Sequence, residues 1–370
     1  MIIGVLKEIK DNEKRVALSP SGAAELVNAG HVVLIESNAA KDVGYDNDAY
    51  LAVGAKITEN ADELFAKADL VVKVKEPQPE EISKFREKQI LFSYLHLAAE
   101  EELTRSLIKK NIVGISYETV TDKDNNLPLL KPMSEVAGKI ATQVGAATLQ
   151  KNNGGKGILL GGVTGVPAAN VLVIGGGVVG ASAAEIASGM GANVVILDKS
   201  VNKIEELNIR FGSKVRSYYS NAELLERYVE NADLIVGAVL VPGTKAPKLV
   251  SADLIKKMAR GSVIVDVAID QGGCFATSKP TTHSNPTYEV DGVVHYCVTN
   301  MPAAVARTAS KALENSIMPY ILKLANLGYK EAFKLDKGFL NGLNIYQDKI
   351  TVEAVAKQFS LPYADVNSLF

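Results

Sequence analysis

Arg15, Lys75, His96 and Asp270 are the side chains whose types and placing could do chemistry. Lys75 closes the apolar run DLVVKVKEP, His96 follows ILFSY, and Asp270 ends GSVIVDVAID. Each therefore stands at the carboxyl end of a predicted strand, where open α/β sheets bind ligands. Arg15 sits in NEKRVALSP, a loop leading into a helix whose start is marked by Ser19, Pro20 and Ser21. A guanidinium fork grips a carboxylate in bidentate fashion, and an ammonium polarises a carbonyl or holds a second oxygen. An imidazole titrates close to neutral pH, and a carboxylate completes the set. Each also has a structural reading. Arg15 and Lys75 fit surface ion pairs, His96 fits a hydrogen-bonded core histidine, and Asp270, like Asp266, fits the cap of a following turn. Cys274, His283, His295 and Cys297 match no compact zinc spacing, so no metal is expected.

A second constellation is VLVIGGGVVG, Val171 to Gly180, where a β-branched run meets glycines in G-x-G-x-x-G spacing. Gly175 permits the tight turn, Gly177 lets the backbone approach a pyrophosphate, and Gly180 allows the next helix to lie close to the strand. The N–H groups at that helix start would hold the phosphates. A further strand, Asn193 to Leu197, ends at Asp198, whose carboxylate can accept both ribose hydroxyls and would repel a 2′-phosphate. NAD is thus expected rather than NADP.

The elements that must position these residues alternate along the chain. Ile2–Leu6, Val32–Ile35, Leu70–Val74, Ile90–Tyr94 and Ile112–Ser116 read as strands, with helices over Ser21–Ala29, Pro79–Lys88 and Glu100–Lys110. The polar loop Thr121–Leu130 is a plausible domain exit, and a long helix follows from Pro132 to about Gln150. Beyond Asp198, Val215–Tyr219, Leu234–Val241, Val263–Ile269 and Val293–Val298 complete a doubly wound sheet, and Pro302–Leu327 reads as one helix. The tail from Arg307 to Phe370 is short for an independent domain and is expected to return to the first one. The fold class is α/β, with two doubly wound Rossmann-like domains. An NAD-binding domain, 130–305, is inserted in a discontinuous substrate and catalytic domain, 1–129 with 306–370, and ligands are expected at the cleft.

Bulk properties agree with a small-molecule protein. The 370 residues are 22% charged and 47% hydrophobic, and the formal net charge of −2 gives no reason to expect nucleic acid or an anionic membrane. No run approaches a membrane span, and MIIGVLKEIKD starts at once as a charged strand, so no secretory leader is expected. Two cysteines in so long a chain fit reduced thiols in a cytoplasmic setting.

The stretch GVLKEIKDNEKRVALSP at 4–20 resembles the opening motif of the alanine dehydrogenase and pyridine nucleotide transhydrogenase family. VKVKEP at 72–77, SYLHLA at 93–98, KPMSEVAG at 131–138, GGGVVG at 175–180, DVAIDQGG at 266–273 and VTNMPAAV at 298–305 extend the resemblance from end to end. It implies that Arg15 and Lys75 bind substrate and that His96 and Asp270 are the catalytic pair. It also implies NAD contacts at Ser134, Val178, Val179, Asp198, Lys203, Ser220, Val239, Leu240, Val267, Ala268, Ile269, Asp270, Lys279, Val298, Thr299, Asn300 and Met301, besides the three motif glycines. The implied reaction is reversible oxidative deamination of L-alanine to pyruvate and ammonium, in a homohexamer built from dimers. The rival readings are a related amino-acid or imino-acid oxidoreductase of the opine or saccharopine type, and an NAD-binding regulator without turnover.

Overall fold

The computed structural model describes residues 1–239 and 246–370. Its strands in chain order are β1 (Ile2–Val5), β2 (Val32–Glu36), β3 (Lys56–Thr58), β4 (Leu70–Val72), β5 (Ile90–Ser93), β6 (Val113–Ser116), β7 (Asn170–Ile174), β8 (Asn193–Asp198), β9 (Val215–Tyr219), β10 (Leu234–Gly237), β11 (Val263–Asp266), β12 (Thr287–Val290), β13 (Val293–Tyr296), β14 (Leu343–Tyr346) and β15 (Lys349–Ile350). The chain divides into two compact units, Met1–Met133 with Val305–Phe370, and Ser134–Ala304.

The first unit holds an eight-stranded sheet ordered β15-β14-β6-β5-β4-β1-β2-β3. Strands β1 to β6 are parallel, and β14 joins β6 antiparallel, Leu343 opposite Ile115, with β15 turning back on it. β4 and β5 are buried along their whole length, as expected of a parallel sheet covered on both faces. Helix Glu101–Lys109 shows how one cover forms. Glu101 and Glu102 complement the positive end of its dipole and Lys109 the negative end, while Leu103, Leu107 and Ile108 turn to the core. The helix expected over 79–88 stops at Ile82. Arg86 and Gln89 instead spend their donors on the carbonyls of Phe65 and Ala68, and Lys88 takes φ 63. Tertiary hydrogen bonds override helix propensity there.

The second unit is a seven-stranded sheet ordered β12-β13-β11-β10-β7-β8-β9, parallel except for β12. Read from the other edge, both sheets run third, second, first, fourth, fifth in strand order, the doubly wound arrangement. Successive residues of β7 feed opposite cores: Val171 and Val173 lie with Val194, Ile196 and Val236, and Leu172 and Ile174 with Leu197, Ile235 and Ile264. Each such buried side chain contributes about 1.5–3 kcal/mol. β11 ends at Asp266, short of the expected Ile269, because Asp266 caps a 3-10 turn over Val267–Gln271 through the Ala268 N–H. Helix Ala306–Leu335 starts later than the expected Pro302, because Met301–Val305 forms a 3-10 turn, and it is broken at Gly328, φ 73, so its regular part closes where the sequence pattern stops at Leu327. Among the described residues no helix is long and apolar enough to cross a membrane.

Candidate functional site

In the first unit, three segments converge. Glu8 follows β1, Lys73 to Gln78 follow β4, and His96 follows β5. Lys75 Nζ lies 3.1 Å from His96 Nε2. An ammonium has no lone pair, so while Lys75 is charged Nε2 must be the acceptor and the ring proton sits on Nδ1. Lys75 is ion-paired with Glu76 but is only 12% exposed in its side chain, so its pair is not a surface one, and His96 is a hydrogen-bonded, half-buried ring. The imidazole is held from two sides. Its backbone is left-handed, φ 50 and ψ 33, and its N–H donates to Glu118 Oε1 at 2.6 Å, with the Leu95 N–H shared between both Glu118 oxygens. Its ring stacks on Tyr94 at 5.9 Å. Burial pushes the Tyr94 hydroxyl up, Arg15 pulls it part of the way back, and the hydroxyl donates to the Leu129 carbonyl.

Arg15 is 2% exposed, so the surface-pair reading fails for it too. Its Nε and Nη2 donate side-on to Glu13 at 2.7 and 2.5 Å, and Nη1 lies 3.1 Å from Met133 Sδ. Burial works against its charge and Glu13 more than restores it. The side-on fork is therefore engaged by Glu13, which fixes the plane of the guanidinium.

Beneath Lys75 lies a buried ionic group that sequence reasoning missed. Lys73 Nζ sits 2.6 Å from Glu81 and 3.3 Å from Glu8, each almost without exposure. Glu8 also accepts the Val74 N–H at 2.7 Å, and Glu81 the Gln78 N–H at 2.7 Å. Two carboxylates thus pin both ends of the segment that carries Lys75. Burial pushes Glu8 up to about 7 against the pull of Lys73. The K-x-K of VKVKEP gave no signal for it: residues two apart in a strand share a face, and Lys73 and Lys75 part only because the regular strand ends at Val72.

In the second unit the expected nucleotide residues collect at the carboxyl edge of the sheet. Gly175 turns at φ +97, where a Cβ would lie 2.8 Å from the Ala238 carbonyl, and a Cβ on Gly180 would lie 1.8 Å from the Gly175 carbonyl. A Cβ on Gly177 would meet no atom within 4 Å. Packing demands the first and last glycines, whereas the middle one is demanded by nothing in the protein, which fits a backbone left bare for a phosphate. Val178 is exposed and Val179 half-buried in the first turn of helix Val178–Gly189, and a Cβ on Gly138 would lie 2.2 Å from the Val179 carbonyl. That close packing brings the helix of Ser134, Lys131–Thr148, against the glycine turn. Asp198 ends β8 and ties the turn down: Oδ2 accepts from Gly176 N at 2.6 Å and Oδ1 from Ser200 N at 2.8 Å. Two of its roughly four acceptor positions stay open for a ligand. Ser220 follows β9, Val239 follows β10, and Val298 to Met301 follow β13, with Val298 and Met301 buried. Leu240 lies outside the described residues. Lys203 pairs with Glu206 one helical turn on, and Lys279 is an exposed side chain whose N–H donates to the Tyr288 hydroxyl.

The loop after β11 separates the two aspartates. Asp266 is the cap, buried, accepting from Ala268 N at 3.1 Å, Cys274 N at 2.9 Å and Ser278 Oγ at 2.6 Å, and burial pushes its carboxyl up. Asp270 is exposed in the turn it organises and lies 3.4 Å from Asn300 N. The turn-cap reading thus belongs to Asp266. The residues weighed for a metal have other partners: His295 Nε2 lies 2.7 Å from Thr277 Oγ1, Cys297 is near the Tyr288 hydroxyl, and Cys274 is near Asp266.

These features define a two-domain α/β protein, each half Rossmann-like, with a dinucleotide cradle in one half and a cluster of paired ionisable groups in the other. The chain belongs to the alanine dehydrogenase/PNT family, whose N-terminal domain model matches residues 4–137 and whose C-terminal domain model matches 141–353. It is 52% identical over 369 residues to alanine dehydrogenase of Halomonas elongata, covering 100% of both chains. It is 53% identical to alanine dehydrogenase of Methanococcus maripaludis, over 98% of each. A solved L-alanine dehydrogenase superposes with a TM-score of 0.94 at 49% identity, covering 97% of this chain and 99% of that one. A transhydrogenase from Sinorhizobium meliloti, at 23% identity and a TM-score of 0.81 over 95% of this chain and 98% of that one, shares the fold.

Proposed function

We propose that the protein catalyses the reversible, NAD-dependent oxidative deamination of L-alanine to pyruvate and ammonium. What carries this reading is identity over half the residues, along the full length, with proteins named alanine dehydrogenase. The Lys75–His96 contact at 3.1 Å supports it, because it sets together an ammonium that can hold a developing carbonyl oxygen and an imidazole that can move a proton. NAD, bound on the glycine turn with Asp198 at its ribose, would accept the hydride leaving the alanine Cα. The residues of the chain do the rest. Arg15 holds the substrate carboxylate, and Lys75 holds the oxygen that becomes the pyruvate carbonyl, stabilising charge that develops there. His96 takes the proton from water as it adds to the imine and returns one as ammonia leaves. Asp270 orients water or ammonia. Ser134, Val178, Val179, Ser220, Val239 and Val298 to Met301 line the cofactor, in the unit assigned to NAD, and the other unit is the substrate domain. We also place the enzyme in the cytoplasm, as a homohexamer.

The test is direct. Purified protein with NAD and a panel of L-amino acids is followed at the NADH absorbance band. Reduction with alanine above all others is expected. Preference for a larger amino acid points to another oxidoreductase of the same architecture, and no reduction with any of them refutes the reading.

A further inference from the structure

Lys75 and His96 pose an electrostatic problem. For His96 to shuttle a proton it must become cationic, yet its Nε2 is 3.1 Å from an ammonium. Two like charges at that separation strongly disfavour double ionisation and would keep the imidazole neutral throughout. The next residue along the chain offsets this. Glu76 is buried, 5% exposed in its side chain, and its Oε2 lies 3.8 Å from Lys75 Nζ. That oxygen is sealed from solvent and makes no hydrogen bond, an arrangement that ordinarily costs stability. The other oxygen, Oε1, pairs with Lys10, whose side chain is 36% exposed. A chain of contacts with one anion at its middle therefore runs from the half-buried imidazole toward the surface: His96, Lys75, Glu76, Lys10. Burial works to raise the Glu76 carboxyl, but Lys75, His96 and Lys10 together hold it below the usual range, so it stays anionic.

We propose that Glu76 is a positioning counter-ion that lets His96 take up a proton while Lys75 stays charged, and that Lys10 limits how strongly it does so. Glu118 and Tyr94 also face His96. Glu118 is engaged by the backbone N–H groups of Leu95 and His96, and Tyr94 is stacked on the ring with its hydroxyl directed to Leu129. Those two fix where the ring lies. Glu76 is the acidic group placed against its lysine partner.

The proposal deepens the function proposed above, and its test is read without turnover. The protein contains 4 histidines, so 13C-labelled histidine gives few ring signals, and His96→Gln identifies the one in question. Titration of that signal is compared between the wild type, Glu76→Gln and Lys10→Met. Glu76→Gln, which keeps an acceptor for Lys10 but removes the charge, moves the His96 midpoint down by about one pH unit. Lys10→Met, at a position 36% exposed, moves it up. Opposite shifts support the proposal. Unmoved midpoints, or shifts of the same sign, overturn it, and Lys10→Met alone decides if Glu76→Gln does not fold. The acidic limb of kcat/KM for alanine follows the same two displacements. An absence of alanine oxidation by the wild type overturns the function instead and leaves the titration readable.

Discussion

Replacing Gly177 by alanine adds one methyl group where it would meet no protein atom within 4 Å. The backbone there, φ −64 and ψ −166, suits any residue. Nothing in the folded protein resists the change, and the unfolded chain loses freedom, so stability should rise by about 0.4–1 kcal/mol. Three residues on, the same methyl on Gly180 would lie 1.8 Å from the Gly175 carbonyl and 3.0 Å from Val173 Cγ1. The carbonyl belongs to a turn fixed at φ +97, so the helix must retreat, an overpacking cost of about 1–3 kcal/mol. With roughly 2–4 °C per kcal/mol for a unit of this size, Gly177→Ala should melt about 1–4 °C higher and Gly180→Ala roughly 2–12 °C lower. Affinity should reverse the order. Under the proposed reading the Gly177 methyl stands where the NAD pyrophosphate approaches, and NAD should bind at least about tenfold more weakly, a loss of about 1.4 kcal/mol. Differential scanning calorimetry with and without NAD, and NAD titration by calorimetry, read both effects. Gly177→Ala that binds NAD like the wild type, or loses as much stability as Gly180→Ala, refutes the cradle.

Other substitutions separate roles in the same way. Asp198→Ala should weaken NAD binding, raise relative use of NADP, and cost about 1 kcal/mol of stability through the lost Gly176 hydrogen bond; equal use of both cofactors by the wild type would contradict the assignment. His96→Ala should lower kcat by roughly two to four powers of ten with the NAD dissociation constant unchanged, whereas Arg15→Ala should chiefly raise KM for alanine and pyruvate. Asp270→Asn keeps shape without basicity and should abolish turnover while NAD still binds; near wild-type kcat would reduce Asp270 to a surface aspartate. Glu8 titrates at about 7 in the folded chain against 4.5 unfolded. A raised value means that the folded state holds the proton more tightly. The stability it contributes is full below about pH 4.5 and is lost as pH rises through about 7. Glu8→Gln is neutral throughout, so melting curves between pH 5 and 8 should show a flatter loss than in the wild type; equal slopes would exclude Glu8 as the source.

Much of this architecture was legible because it is written in short-range patterns. The short, β-branched apolar runs at Leu70–Val72 and Val171–Ile174 read as strands covered on both faces, and the glycines after Ile174 marked the turn and the helix behind it. The placing of Lys75 and His96 just beyond strands was readable from the sequence, whereas Asp270, expected to end a strand, lies in the 3-10 turn after it. What remained hidden depends on partners far apart in sequence. Glu8 gives no sign of the lysine it meets beside β4, and Glu76 gives no sign that one oxygen is enclosed without a hydrogen bond. The helix expected over 79–88 failed because carbonyls at Phe65 and Ala68 claimed Arg86 and Gln89. Asp266 and Asp270 look alike as residues, and only burial tells the cap from the exposed carboxylate.

The pairing of β14 with β6 has a consequence for how the polypeptide is made. The unit Ser134–Ala304 is continuous, so a ribosome releases all of it before the last strands of the other unit exist. Until Leu343–Tyr346 emerge, β6 presents an open edge of backbone N–H and C=O groups, the kind of surface that recruits foreign strands. Late synthesis thus closes the half that began first, and a ribosome stalled before residue 343 would hold one finished unit and one aggregation-prone sheet.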